Sequence, residues 1–154
     1  MDPLKRKADV QRIMRTAFFD AIEEQIDKEP AQAVEWLARL HEELAQRFTA
    51  ILPSKTRDIA ERLDTELFQQ QLQAGAYGSE QMGPLIEYTW ALLRMACAPD
   101  MDVALQEAYD EVAGALVPGA AFSTVVPLYL RHAHAQLDEI TRRIIELREG
   151  PKEE

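Results

Sequence analysis

The chain has 154 residues, 47% of them hydrophobic, 7% aromatic and 29% charged. Such a chain builds a globular core without help from disulfides or metal, which excludes both a disordered segment and a small stapled domain. Seventeen Lys and Arg against 27 Asp and Glu leave a net charge of −10, a surface that repels nucleic acid unless a local basic patch overrides it.

Apolar residues recur at helical spacing from end to end, without a run of strand alternation, so the expected fold is all-α: about six helices in one domain, residues 1–150, with a charged tail at 151–154. Asp2 and Pro3 read as the N-cap and first position of a first helix, with Val10, Met14, Ala17, Ala21 and Ile22 on its inner face beside Phe18 and an end near Lys28, ahead of Pro30. Lys5, Arg6, Lys7, Arg12 and Arg15 make its start basic and read as a solvated cluster. The second helix carries Ala33, Leu37, Leu40, Leu44, Phe48 and Ile51, and stops at Pro53. Ser54 is placed to cap a third, with Ile59, Leu63, Leu67 and Leu72 inward and Gly75 as its C-terminal cap.

Ser79 opens a fourth helix, about 79–98, with Met82, Leu85, Ile86, Trp90, Leu93 and Cys97 on its stripe. Only Glu87 and Arg94 are charged between Leu85 and Ala98, so this helix is expected at the centre. Asp100 is placed to cap a fifth, with Val103, Ala108, Val112 and Leu116 inward, ending at Pro118-Gly119. The last helix starts near Ser123, with Pro127 in its first turn. Its apolar residues Val126, Leu130, Ala133, Leu137, Ile140, Ile144 and Leu147 alternate steps of four and three, a heptad pattern. That stripe packs on its own bundle or pairs with another chain.

Sequence signals for chemistry are few. None of His41, His132 and His134 follows a glutamate at three residues, which removes the di-iron bundle signature. His132 and His134 stand two apart, on different sides of a helix. His134 and Asp138 stand four apart and meet on one side, as a surface hydrogen bond or half a metal site. Zinc needs two more ligands, and the lone Cys97 supplies no ribbon spacing. No Gly-rich phosphate loop or nucleophile elbow occurs, and Ser54, Ser79 and Ser123 all suit caps. The acidic pairs Glu23-Glu24, Glu42-Glu43 and Asp110-Glu111 fall on polar faces. Trp90 reads as core and Trp36 as a helix–helix seam. One cysteine cannot form an internal disulfide, and the charged N-terminus lacks an apolar signal region. The longest nearly uncharged stretch, Tyr88 to Pro99, is too short to span a bilayer. The expected location is cytoplasmic.

From residue 52, "LPSKTRDIAERLDTELFQQQLQAGAYGSEQMGPLIEYTWALLRMACAPDMD" resembles the T-complex protein 11 family. The matching residues are Leu63-Asp64, Gln69 to Gln71, Gly75-Ala76, Cys97-Ala98-Pro99 and Asp102. Met101 stands where the family has an arginine. The resemblance implies a compact, all-helical member without known enzymatic activity or catalytic residues to carry across, and a link to cyclic-AMP and protein-kinase-A signalling by analogy alone. Cys97, Pro99, Asp100 and Asp102 then form a structural corner between two helices. Cys97 is expected to be buried and inert there.

The resulting expectation is a non-enzymatic interaction or regulatory domain, with no cofactor, metal or nucleic acid. Its acidic surface favours basic partner segments. It would meet a protein partner, or a second copy, through a groove or through Leu137, Ile140, Ile144 and Leu147. The alternative is a bundle that holds an apolar or aromatic small molecule near Trp90, Cys97 and Tyr109. A further one, an enzyme using His132 or His134 with Asp138, requires a concave pocket around them.

Overall fold

A computed structural model describes residues 3–74 and 79–149, and these form one all-α helical bundle. The helices are α1 (Pro3–Gln25), α2 (Pro30–Ile51), α3 (Thr56–Arg62), α4 (Thr65–Gln73), α5 (Ser79–Ala96), α6 (Asp102–Gly114) and α7 (Phe122–Glu149). Single 3-10 turns at Pro53–Lys55 and Pro99–Met101 lead into α3 and α6. The expected third helix is thus present in two pieces. The two longest-packed helices, α7 and α2, form the spine: α7 lies against α1, α2, α5 and α6, and α2 against α1, α3, α4 and α7. Trp90, the largest fully buried side chain, comes from α5.

Most stripes read from the sequence face the core. On α2, Ala33, Leu37, Leu40, Leu44 and Phe48 are buried; on α5 so are Met82, Leu85, Ile86, Trp90 and Leu93. No helix among the described residues is long and apolar enough to cross a membrane. Gly119 sits at φ +82° in the α6–α7 turn, the left-handed conformation that a side chain disfavours.

The departures have physical causes. On α1 the stripe Val10, Met14 and Ala17 faces out, and the buried face is Arg15, Phe19, Ile22 and, in the following turn, Ile26. About 100° of rotation per residue puts these two sets on opposite sides of one helix. Helix α1 ends at Gln25, short of Lys28, and Pro30 takes the first position of α2, where its missing N–H costs nothing. Ser54 lies in a 3-10 turn rather than at a cap. The effective cap is Asp64, whose carboxylate accepts the Leu67 N–H at 3.1 Å and starts α4. Restarting the helix there shifts the register, so Phe68 goes inward and Leu67 is exposed.

Asp100 makes no capping bond either; it reaches Arg143 of α7 at 2.6 Å, and Asp102 opens α6. Val103 is exposed, while Leu105, Ala108 and Val112 form the buried face of α6. Pro127 falls in the second turn of α7, beyond the first. The expected caps at Asp2 and Gly75, and the tail at 151–154, lie outside the described residues.

Candidate functional site

The polar centre of the molecule is a junction of α1, α2 and α7, built from single residues of opposite charge. From α7, His134 and Asp138 point to the same side one turn apart, as their spacing requires. They do not bond each other: Arg47 of α2 lies between them. Its Nη1 donates to His134 Nδ1 at 3.0 Å, and its Nη2 to Asp138 Oδ1 at 2.9 Å. Arg15 of α1 donates from Nη2 to the same Asp138 oxygen and from Nη1 to Glu43 at 2.9 Å. Two guanidiniums therefore share one carboxylate oxygen, with Glu43 as the second, half-exposed counter-charge.

Burial sets the electrostatics. His134 donates from Nε2 to the Leu40 carbonyl at 2.9 Å, which leaves Nδ1 as acceptor for Arg47. Desolvation, chiefly, pushes its pKa down to about 3; the Leu40 bond opposes this, and Arg47 and Arg15 add to it. The ring stays neutral. Arg47 lies below its ordinary value, first through burial and then through Arg15, while Asp138 works against both. Close by, His41 stacks on Phe68 at 4.1 Å between ring centroids, with Nδ1 3.1 Å from Thr65 Oγ1 and Nε2 buried without a partner. Burial lowers its pKa to about 4.

Chemically, the junction is a clasp. Both ring nitrogens of His134 are engaged and one Asp138 oxygen takes two guanidiniums, so charge-assisted bonds tie α1, α2 and α7 together at this point. The sequence placed Arg15 with the solvated cations, yet it is 8% exposed. Arg47 drew no notice at all. Available signals were the four-residue step Glu43–Arg47 and the register Arg15–Phe19–Ile22–Ile26, which puts a cation on the face with the larger side chains. His132 faces away and meets Glu111 at 2.5 Å. Among the described residues, no three His, Cys, Asp or Glu side chains gather as a metal ion needs.

The other sequence candidates are spread over the molecule. Leu137 and Ile140 are buried in the intramolecular core and Ile144 packs against it, so the heptad face is largely consumed within the chain; Leu147, 80% exposed, is the member left outside. At the corner, Cys97 is half-buried rather than buried. Its thiol is directed to the Arg94 carbonyl at 3.6 Å, with Asp102 Oδ1 at 3.9 Å. Desolvation and then the Asp102 charge raise its pKa, so it stays a thiol. Pro99 and Asp100 are exposed. Trp90 lies 6.2 Å from Tyr109 and 6.5 Å from Tyr129, ring to ring, and its indole N–H donates to the Leu105 carbonyl at 3.1 Å.

Around the clasp, two surfaces stand open. Between α1 and α7 lies a cleft of about 430 Å³ floored by Arg15, Arg47 and Asp138. On the far side of α1, Val10, Ile13 and Met14 are 49%, 58% and 65% exposed. Met14 and Phe18 lead from that stripe into a groove of about 340 Å³ against Arg39 and Leu40 of α2.

Compared with known proteins, the chain matches no curated protein and no solved structure. The family model of T-complex protein 11 matches residues 1–146, nearly the whole helical bundle, and the chain belongs to that family.

Proposed function

We propose that this chain is a non-enzymatic interaction domain of the T-complex protein 11 type, and that its docking surface is the outer face of α1. The observation that carries this reading is that α1 is apolar on two opposite sides. One side, Phe19, Ile22 and Ile26, is buried; the other, Val10, Ile13 and Met14, faces solvent. A helix that only closes a bundle needs a single apolar face. The net charge of −10 favours basic partners for the surface as a whole, but beside the outer stripe the exposed Arg6 and Lys7 reverse that preference locally.

The occupant that fits is a partner helix with an apolar stripe flanked by acidic residues, docked as a helix in a groove. In such a role the regulatory, signalling-related function implied by family analogy becomes the holding of a partner, without turnover of a substrate. An 18-residue synthetic helix of leucines flanked by glutamates tests this, against the same helix with lysines. Binding of the acidic helix alone, with NMR shifts at Val10, Ile13 and Met14 that disappear in Ile13→Ser, is the expected result. Equal binding of both helices, binding of neither, or a dimer of the chain itself through this face overturns it.

A further inference from the structure

The cleft between α1 and α7 has the chemistry of an anion site. It is lined by five basic side chains against three acidic ones, in a protein whose overall charge is −10. The basic residues are arranged in depth. Arg15 and Arg47 form the floor, their charges shared with Asp138 and Glu43. Lys5 and Arg12 stand above them, and among the described residues neither enters an ion pair. Arg142 completes the set from α7, held by Glu139 and Glu146.

One feature goes beyond a structural clasp. The clasp is satisfied by Asp138 and Glu43 alone, so Lys5 and Arg12 add nothing to it, yet both line the same cavity. The guanidinium of Arg15, by contrast, is held by Glu43 and Asp138 through its two Nη atoms, and its Nε is buried out of reach of solvent, so Arg15 contributes charge beneath the cavity and no direct contact. The exposed fork of Arg12 beside Lys5 is the arrangement that recognises a tetrahedral oxyanion, because planar N–H pairs match two phosphate oxygens and a lysine supplies point charge. A volume of about 430 Å³ suits a small phosphorylated molecule and is too small for a macromolecule.

We infer that the α1–α7 cleft binds the phosphate group of a small soluble molecule, with Lys5 and Arg12 as the primary contacts and Arg15 beneath them. The inference is independent of the docking face, which lies on the other side of α1.

The test uses the intact chain, with inorganic phosphate and glycerol 3-phosphate as probes and sodium chloride at matched ionic strength as control. Saturable binding by calorimetry is expected for both phosphates, with a shift of the Arg12 Nε–H resonance in NMR spectra. The double variant Lys5→Gln/Arg12→Gln, which leaves every buried core residue in place, should keep the helical circular dichroism and bind at least ten-fold more weakly. Shifts no larger than those in chloride overturn the inference. Equal affinity in wild type and double variant also overturns it. So does binding to phosphatidic acid vesicles without binding to either soluble phosphate, since that places the cations against a lipid surface. The helix-peptide experiment reads the opposite face, and its failure leaves this result standing.

Discussion

Asp138 is the residue on which the three-helix junction depends. It lies mostly out of water and holds two guanidiniums through one oxygen. A buried pair contributes little net stability compared with apolar packing, but removing one partner leaves uncompensated charge, at about 3–5 kcal/mol. Asp138→Asn should therefore lower unfolding free energy by about 3 kcal/mol, the low end because Glu43 remains for Arg15. Urea denaturation checks this; a loss of less than about 1 kcal/mol, the range of an exposed pair, would show the clasp to be solvent-screened. Cys97 sits at the other extreme. Its raised pKa and its carbonyl contact predict slow reaction with a thiol reagent at pH 7, and a rate equal to that of free cysteine would contradict the geometry.

At the scale of elements, α1 and the α3–α4 break show how local rules and packing divide the work. Helix α4 begins where Asp64 accepts the Leu67 N–H, so Asp64→Ala should cost about 1 kcal/mol and loosen that turn. Helix α1 makes a sharper contrast. Phe19→Ala removes a core ring and should cost about 3–5 kcal/mol, whereas Ile13→Ser on the outer side should change stability by less than about 0.5 kcal/mol. Thermal or urea unfolding of the two variants compares the faces directly, and a large cost for Ile13→Ser would mean that the outer stripe is packed. Most stripes were legible beforehand because α2, α5 and α7 have one dominant apolar side. The face of α1 was not, since its outer stripe looks at least as apolar as the inner one, which includes an arginine.

For the molecule as a whole, two neutral histidines in the core set a pH limit. His41 and His134 titrate at about 4 and about 3 when folded, below the ordinary 6.5. Below pH 6.5 the unfolded chain takes up protons that the folded one refuses, so stability is complete above that pH and falls as the pH drops. Each histidine withdraws up to about 1.4 kcal/mol per pH unit, or about 2 kcal/mol between pH 6.5 and 5. The loss for His41 ends near pH 4, and that for His134 nearer 3. Denaturation at pH 7.5, 6.5 and 5 should show the fall, and His41→Leu should roughly halve it. A profile unchanged by that substitution would place its protons elsewhere.

The sequence by itself determined the all-α class, the central line of the buried faces of α2, α5 and α7 but not their flanks, such as Val34, Leu92 and Tyr129, and the family, through the segment that ends at Cys97-Ala98-Pro99. Those depend on helical period, chain breaks and residue order, all of which are local. Tertiary structure alone decided which side of α1 turns inward and that Arg15 is buried there. Helical period states which residues share a face, not which face meets the core. That choice required Glu43 from α2 and Asp138 from α7, 28 and 123 residues away along the chain, to neutralise a cation that no local rule would bury.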